Sequence, residues 1–204
     1  MKKILFIDVC DRPESRTRIL AEHLLTCLDG EVTRLDLFRD PVYPLNIEAI
    51  RQRKSCAACG SCEGQGLEYA RQFADADIIV IAAPVWNLSF PSVLMAYCEN
   101  IVEDGITMRL DESGNMTGLC KAEKFYYVTA TGFRNLNPVF GYGYLKSLFS
   151  QLGIHSSECF SADGLDLPGA DEEAILNSCK REMDASFRFP DRGTGSVVPT
   201  ESTK

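Results

Sequence analysis

The sequence predicts an α/β protein built on a doubly wound parallel sheet of five strands with a small inserted hairpin. Short apolar segments alternate along the chain with segments whose apolar residues recur at helical spacing, which is the pattern of strand-helix-strand units. Residues 78–83, Ile-Ile-Val-Ile-Ala-Ala, are apolar at every position. This is typical of a central parallel strand that helices cover on both faces. Such a sheet binds its ligand beyond the carboxyl ends of its strands.

The first part of the chain contains two predicted strands with a helix between them. Residues 3–9 are mostly apolar and predict a short buried strand. From Ser15 onward, apolar side chains recur at helical spacing until Asp29 and Gly30 end the pattern, so a helix is expected there. Residues 31–37 alternate polar and apolar side chains imperfectly and predict the second strand.

The next segment is expected to contain more loop than regular structure. Residues 38–47 carry two prolines and predict a loop, and residues 48–65 form a polar stretch that holds three cysteines. We expect this stretch to be a loop with reduced thiols. A short helix at residues 67–76 then leads into the central strand at residues 78–83.

The second half of the chain continues the alternation with one insertion. Pro91 can open a helix whose apolar stripe faces the core. Residues 107–119 contain the turn sequence Asp-Glu-Ser-Gly-Asn between two short extended arms, and they predict the inserted hairpin. Residues 125–129 and 156–161 predict the fourth and fifth strands, and a further helix is expected between them at residues 139–152.

The C-terminal part is expected to consist of a last helix and a tail. The helix is predicted at residues 171–187, so that residues 1–188 form one domain. Residues 189–204 are rich in Pro, Gly, Ser and Thr and lack periodicity. We expect this tail to be either flexible or draped over a partner.

Composition excludes several functional classes. The 204 residues carry 21 Lys and Arg against 29 Asp and Glu, and the resulting net charge of -8 disfavours nucleic-acid binding. The longest apolar run is far shorter than the about 20 residues that cross a bilayer, and the apolar segment after the first lysines is too short for a secretory signal. Nine cysteines, an odd number, indicate reduced thiols. We expect a cytoplasmic protein with no nucleic-acid or membrane partner.

The loop at residues 10–18 joins a predicted strand to a predicted helix and suits a phosphate group. It carries hydroxyl groups at Ser15 and Thr17 together with three arginines. Backbone amides at a helix N-terminus and nearby hydroxyls bind phosphate oxygens. The alternative is that Ser15 only caps the helix and that the arginines are solvated. The loop matches neither glycine-rich nucleotide motif.

Two further loops follow predicted strands at the same edge of the sheet. Residues 84–91 carry the only tryptophan, Trp86, where a ligand ring would lie. Ordinary packing at the base of the loop is the alternative for this side chain. Residues 129–133, Thr-Ala-Thr-Gly-Phe, offer backbone amides, and Gly132 permits a close approach by a ligand.

Together these motifs resemble the FMN-dependent NAD(P)H oxidoreductases of the flavodoxin-like fold, especially the bacterial azoreductases and related quinone reductases. The resemblance covers residue 4 to about residue 167. It is carried by Ser-Arg-Thr at residues 15–17, Ala-Ala-Pro-Val-Trp-Asn-Leu-Ser-Phe-Pro at residues 82–91, Gly-Ile-Thr-Met-Arg at residues 105–109 and Thr-Ala-Thr-Gly at residues 129–132.

The resemblance implies a two-electron reductase that binds FMN, takes a hydride from NADH or NADPH and needs no acid or base from the protein. The first loop would hold the FMN phosphate, the second would run along the isoalloxazine ring, and the third would approach its pyrimidine edge. The implied contacts are Cys10, Ser15, Arg16, Thr17, Pro84, Val85, Trp86, Asn87, Leu88, Thr129, Ala130, Thr131, Gly132 and Phe133. A homodimer is also implied, with acceptor pockets between two protomers.

The expected acceptors are small, planar and conjugated: quinones, azo compounds or activated C=C bonds of flavonoid-like enones. Trp86 and Phe133 would border their pocket, and the kinetics would be ping-pong because both substrates use one flavin face in turn. The chain departs from the family at Phe133, where a second glycine is common, and at Cys10, where a hydroxyl is common. Phe133 can therefore narrow or reshape the acceptor pocket.

A one-electron carrier is the alternative function, either of the flavodoxin type or an iron-sulfur flavoprotein, and the acidic balance permits it. Iron-sulfur flavoproteins of this fold carry a run similar to Cys56, Cys59 and Cys62, which a fourth nearby cysteine completes. Cys98 falls on an apolar helix stripe and is expected in the core. We therefore expect no metal at the cysteine run, while a redox or pocket role of these thiols stays open. A flavin-binding redox sensor is a third interpretation.

The two histidines indicate no hydrolytic chemistry. His23 lies on a predicted helix and His155 precedes a predicted strand. Neither is placed by the sequence beside a nucleophile in the arrangement that acyl transfer needs. A hydrolase is therefore not predicted.

Overall fold

The fold is a parallel sheet with helices on both faces. The computed structural model describes residues 1–40, 42–59, 67–134 and 138–188. The strands are β1 (Lys3–Asp8), β2 (Glu31–Asp36), β3 (Ile78–Ala82), β4 (Met108–Leu110), β5 (Met116–Gly118), β6 (Lys124–Thr131) and β7 (Ser157–Asp163). The helices are α1 (Arg16–Thr26), α2 (Ile47–Cys59), α3 (Leu67–Asp75), α4 (Ser92–Ile101), α5 (Tyr142–Gln151) and α6 (Glu172–Arg188).

The five long strands pair in the order β2-β1-β3-β6-β7, and each neighbouring pair is parallel. The predicted five-stranded doubly wound sheet is confirmed, with small shifts at the strand ends. The order reverses between β1 and β3, because the chain runs outward to β2 before crossing to β3. A crevice at the carboxyl edge of the sheet is expected at this reversal.

Apolar side chains fill both faces of the sheet. On one face Ile4 and Phe6 of β1 pack with residues of α1 and α6, such as Leu24 and Met183. On the other face the alternate β1 residues pack with α3, α4 and α5. All five residues of β3 are buried, which confirms the prediction of a central strand covered on both sides.

The predicted hairpin is present as the antiparallel pair of β4 and β5. Asp111 fixes its turn, because the carboxylate accepts backbone N–H bonds from Ser113 at 2.9 Å and Asn115 at 2.8 Å. Gly118 lies against the backbone at the end of α5, where an added Cβ would stand 2.0 Å from the carbonyl carbon of Leu152. Only glycine fits this close approach.

The prediction of a loop after residue 47 was wrong, since α2 spans Ile47–Cys59. Asn46 stabilises its first turn by accepting the Ala49 N–H at 2.8 Å. Arg53 anchors it by donating to the side-chain oxygen of Asn100 at 2.8 Å and by pairing with Glu103 at 3.3 Å. The helix is thus held by polar contacts, and an apolar stripe is a poor guide to such a helix.

The remaining predictions concern the cysteine run, the C-terminal tail and the helix at residues 139–152. Cys56 and Cys59 lie on α2, whereas Cys62 and the tail at residues 189–204 fall outside the described residues. The helix predicted at residues 139–152 begins as a 3-10 turn, Pro138–Phe140, and becomes α5 only after Gly141. Within the described ranges, none of the helices has the length and apolar character to cross a membrane.

Candidate functional site

Three loops converge at the carboxyl edge of the sheet, as the sequence predicts. The register aligns Asp8 at the end of β1 with Ala82 of β3, and Ala82 with Val128 of β6. The backbone N–H of Val9 donates to the Ala82 carbonyl at 2.9 Å, and that of Ala83 donates to the Val128 carbonyl at 3.0 Å. The loops that follow these three strands are therefore neighbours.

The first loop ends at the N-terminus of α1, where the polar groups are arranged for an anion. Ser15 occupies the N-cap position, but its side chain makes no capping hydrogen bond in the described structure. The first-turn amides have no intrahelical acceptors, since the helix begins there. Ser15 and Thr17 are 6% and 1% exposed, so both residues are buried at this end of the helix. This arrangement disfavours the alternative in which Ser15 is only a helix cap.

Arg18 braces the first loop from within. Its Nε donates to Oδ2 of Asp8 at 2.6 Å, Nη1 donates to the carbonyl of Arg12 at 2.6 Å, and Nη2 donates to the carbonyl of Cys10 at 2.7 Å. Asp8 also accepts the backbone N–H of Cys10 at 2.9 Å. The sequence alone suggests a phosphate-facing position for Arg18 with the other two arginines, and this bracing role was not predicted. A carboxylate at the end of an apolar strand was the available signal, because a buried charge needs a partner.

Arg16 joins the first loop to the segment that follows β7. Its Nη1 lies 2.8 Å from Oδ1 of Asp166 and 3.4 Å from Oε2 of Glu172. The hydrogen bond from Arg16 lowers the pKa of Asp166. A Cβ on Gly132 would stand 2.1 Å from Oδ2 of Asp166, so the third loop packs directly against this carboxylate. Glycine at this position lets the third loop approach the segment that follows β7.

Cys10 lies beneath the first loop rather than on its surface. Its side chain is 1% exposed, and the thiol donates to the carbonyl of Ala82 at 3.7 Å. Burial raises the pKa of this thiol to about 12. Cys10 is therefore a neutral packed thiol at the base of the loop, and its contact with a cofactor stays a prediction.

The second loop makes a tight turn that displays apolar side chains. Trp86 and Ser89 exchange two backbone hydrogen bonds, at 2.8 and 2.9 Å. Asn87 and Leu88 between them have φ of 50° and 68°, the left-handed region that disfavours side chains with a Cβ. Such residues cost about 1–3 kcal/mol each and occur at sites where the surrounding structure fixes them. Trp86 and Leu88 are 42% and 63% exposed, so the turn presents apolar surface.

The end of β6 and the loop after it contribute an unpaired hydroxyl and an exposed ring. Oγ1 of Thr129 is buried, and no residue in the described part of the chain offers it a hydrogen bond. Thr129 lines a cavity of about 240 Å³ that Val85 and Leu88 of the second loop also border. Thr131 accepts the backbone N–H of Phe133 at 3.2 Å, and the Phe133 side chain is 69% exposed. A ligand in this cavity would meet an unsatisfied polar atom, whereas Phe133 does not line the cavity.

The remaining predicted contacts occupy the same edge. Pro84 and Val85 are half-buried at the end of β3, Asn87 is exposed at the tip of the turn, and Ala130 is buried in β6. The ring of Trp86 lies 6.0 Å from that of Phe38, which comes from the loop after β2. Phe38 was not predicted at the site, because residues 38–47 show no pattern beyond two prolines.

Comparison with known proteins agrees with this architecture. The Flavodoxin_2 family, described as having a flavodoxin-like fold, matches residues 2–187. The FMN-dependent NADH:quinone oxidoreductase 2 of Clostridium acetobutylicum is 35% identical over 202 residues, covering 93% of this chain and 100% of that protein. The FMN-dependent NADH:quinone oxidoreductase of Caldicellulosiruptor saccharolyticus is 31% identical over 196 residues, covering 90% of this chain and 97% of that protein.

A solved structure shows the same fold. It is an FMN-dependent NADH-azoreductase from Bacillus anthracis in complex with FMN, which superposes with a TM-score of 0.76. The two sequences are 22% identical, and the match covers 92% of this chain and 98% of the other. The predicted flavodoxin-like fold is thereby confirmed.

Proposed function

Because the chain belongs to the Flavodoxin_2 family of flavodoxin-like proteins, we propose that it is an FMN-dependent NADH:quinone oxidoreductase. It uses NADH to reduce small, planar, conjugated acceptors. Curated relatives at 35% and 31% identity carry this activity in their names and match this chain over nearly their full length.

The observation that carries the proposal is the fit of the first and third loops to a phosphate-bearing ring cofactor. The N-terminus of α1 presents first-turn amides beside the hydroxyls of Ser15 and Thr17, a donor set suited to a phosphate dianion. At the same edge of the sheet, the buried hydroxyl of Thr129 has no partner within the described residues. A polar group of the cofactor would satisfy it, and burial without such a partner is costly.

Different residues of the chain would bind different parts of the cofactor. Ser15, Arg16 and Thr17 would hold the phosphate, with Arg18 keeping the loop in shape from behind. The turn at residues 84–88 would lie along the isoalloxazine ring, and residues 130–133 would approach its pyrimidine edge. Backbone amides aimed at that edge stabilise negative charge on the ring.

Bound FMN supplies the two-electron hydride chemistry, so the protein has to bind, orient and shield the two substrates. Trp86 is half exposed on the loop after β3 and Phe133 is exposed on the loop after β6, and there both would offer stacking surface to flat molecules. We assign no side chain the part of a general acid or base. Nicotinamide and acceptor would occupy one pocket in turn.

The acceptor range proposed here is quinones, azo compounds and activated C=C bonds of flavonoid-like enones. Sharing one pocket requires that the oxidised nicotinamide leave before the acceptor binds. Initial rates measured against NADH at several fixed quinone concentrations should therefore give parallel double-reciprocal lines. Lines that intersect would contradict the shared pocket. The same rate measurements with azo compounds and with enones rank the three acceptor classes.

The active form is proposed to be a homodimer. Exposed apolar side chains lie on the hairpin, where Leu110 and Met116 are 50% and 41% exposed, and next to α5, where Val139 and Phe140 are each 58% exposed. A second copy of the chain would cover such surface and complete the acceptor pocket. Sedimentation at micromolar concentration tests this, because a fully active monomer would contradict it.

A further inference from the structure

Helices α1 and α6 bring together three side chains that carry metal-ligating atoms, far from the candidate flavin site. Nε2 of His23 lies 2.9 Å from Oδ1 of Asp184, and Sγ of Cys27 lies 3.6 Å from the same oxygen. All three ligand atoms lie within 4.8 Å of one another. We propose that His23, Cys27 and Asp184 form a binding site for a zinc ion.

The helix geometry explains why these residues meet. His23 and Cys27 are four residues apart and therefore lie on the same face of α1. The two helices run in the same direction, because Arg16 contacts Glu172 where both begin and His23 contacts Asp184 further along. The backbone of Cys27 is fixed as well, since its N–H donates to the carbonyl of Leu24 at 3.0 Å at the end of the helix.

The donor set selects the metal. A thiolate, an imidazole and a carboxylate are all ordinary ligands of Zn²⁺, whereas Mg²⁺ and Ca²⁺ prefer oxygen alone. Zinc at about 2.0–2.3 Å from each donor requires donor atoms roughly 3.2–3.8 Å apart. The distance from Cys27 to Asp184 already lies in this range, and the distance from His23 to Asp184 must widen slightly.

The site is open on one side. The side chains of His23 and Asp184 are 28% and 37% exposed, so an ion can enter from solvent. Three protein ligands leave the fourth position of a tetrahedral zinc ion to water. The neighbouring cation is Arg188, which is exposed near the end of α6 and can turn its charge toward solvent.

Metal binding at this site must release a proton. Burial and the hydrogen bond to Asp184 raise the pKa of the Cys27 thiol, so the metal-free side chain is a neutral S–H group. Zn²⁺ replaces that proton on sulfur, and the proton passes to solvent. His23 must present the Nε2 lone pair to the metal, which places its proton on Nδ1.

A zinc ion here would join α1 to α6 at a second point beyond the contact of Arg16 with Glu172. A ligand that binds only the folded chain raises its stability by mass action. The ion would therefore stabilise the fold without taking part in hydride transfer, so this inference does not depend on the proposed function.

Cobalt reports the site directly, because a cobalt-thiolate bond gives a charge-transfer band that carboxylate and imidazole do not give. The starting protein should carry Cys56→Ser, Cys59→Ser and Cys62→Ser, so that the cysteine run cannot supply a thiolate. Titration with Co²⁺ should then produce this band with one ion per chain, and Zn²⁺ should displace it.

Variants identify the ligands. In the same background, Cys27→Ala should abolish the band, His23→Gln should weaken Co²⁺ binding, and Cys120→Ala, which changes a partly buried thiol elsewhere, should leave the band intact. If His23 and Asp184 form only an ion pair between helices, the starting protein gives no such band. The absence of the band in the starting protein, or a band that survives in Cys27→Ala, would overturn the zinc site. The measurement on the starting protein is decisive even if a variant fails to fold.

Discussion

Arg18 reaches Asp8 across 2.6 Å, and the same guanidinium donates to the carbonyls of Cys10 and Arg12. One side chain of α1 thus ties the end of β1 to the first part of the loop that joins β1 to α1. The side chains of Arg18 and Asp8 are only 18% and 11% exposed. The shape of the proposed phosphate loop therefore depends on an ion pair that lies mostly inside the protein.

Replacing this arginine tests its role as a brace. Arg18→Met leaves Asp8 without its cation and should lower the free energy of unfolding by about 3 kcal/mol, as for a mostly buried pair. The same variant should weaken FMN binding, because the loop loses the two hydrogen bonds that Arg18 donates to its carbonyls. Arg18→Lys keeps the charge but lacks the forked set of N–H donors. Its free energy of unfolding and its FMN affinity should therefore lie between those of the unchanged protein and those of Arg18→Met. Denaturant unfolding and fluorescence titration with FMN measure both effects.

The matched control is Arg34→Met. Arg34 pairs with Glu22 where both side chains are about half exposed, 54% and 45%. Removing this pair should change stability by about 1 kcal/mol or less and leave FMN affinity unaltered. Equal FMN affinities in Arg18→Met and Arg34→Met would show that Arg18 does not shape the site.

The proposed phosphate contacts predict a loss of cofactor affinity. Ser15→Ala combined with Thr17→Ala should weaken FMN binding by about 1.5–3 kcal/mol for each charge-assisted bond removed. Ser147→Ala, which removes an exposed hydroxyl bonded to the carbonyl of Gly143 on α5, should have no effect. Cofactor released from the purified protein should contain no adenine, and finding adenine would contradict FMN as the cofactor.

The buried thiol of Cys10 should be unreactive in the folded protein. Its pKa is raised to about 12 by burial, so at pH 8 roughly one thiol in ten thousand is ionised. Thiolate is the nucleophile, and iodoacetamide should therefore label Cys10 only after unfolding. Peptide mass spectrometry measures the extent of labelling at Cys10 and at the partly buried Cys27 in the same sample. Prompt labelling of native, FMN-free protein at Cys10 would show that the first loop is open.

The two aromatic side chains at the crevice should select acceptors. Phe133→Gly should raise turnover of bulky azo compounds and quinones relative to slim enones, because it removes a 69% exposed ring from the pocket edge. Trp86→Ala should penalise flat aromatic acceptors by about 0.5–1.5 kcal/mol in kcat/KM, the value of one aromatic pair. Phe187→Leu, which alters a ring packed on Tyr126 at the start of β6, is the control. An unchanged ranking in both pocket variants would exclude this assignment.

The spacing of apolar residues in the sequence predicts the strands of the sheet but does not predict α2. The apolar segment at residues 78–83 can be satisfied only by burial on both faces, so its place at the centre of the sheet follows from composition. Helix α2 instead depends on Arg53, whose partners Asn100 and Glu103 lie far along the chain. Side-chain hydrogen bonds of that kind leave no periodic trace in the sequence.

The candidate site likewise has features that the local sequence predicts and features that only the fold shows. Hydroxyls at a strand-to-helix junction predict a phosphate loop from local sequence alone. The brace formed by Arg18 requires knowing that Asp8 is buried, and the packing of Gly132 against Asp166 requires the fold. His23 and Cys27 likewise gain meaning only beside Asp184, which the packing of α6 on α1 brings to them.

The central claim is that NADH delivers a hydride to FMN held by this chain and that a quinone then removes it. Anaerobic stopped-flow mixing of the FMN-loaded protein with NADH tests it most directly. The account predicts that the flavin's visible absorption bleaches at least as fast as steady-state turnover, and that a second mix with quinone restores it. If NADH leaves the absorption unchanged while a chemical reductant bleaches it, the chain is an electron carrier and not this oxidoreductase.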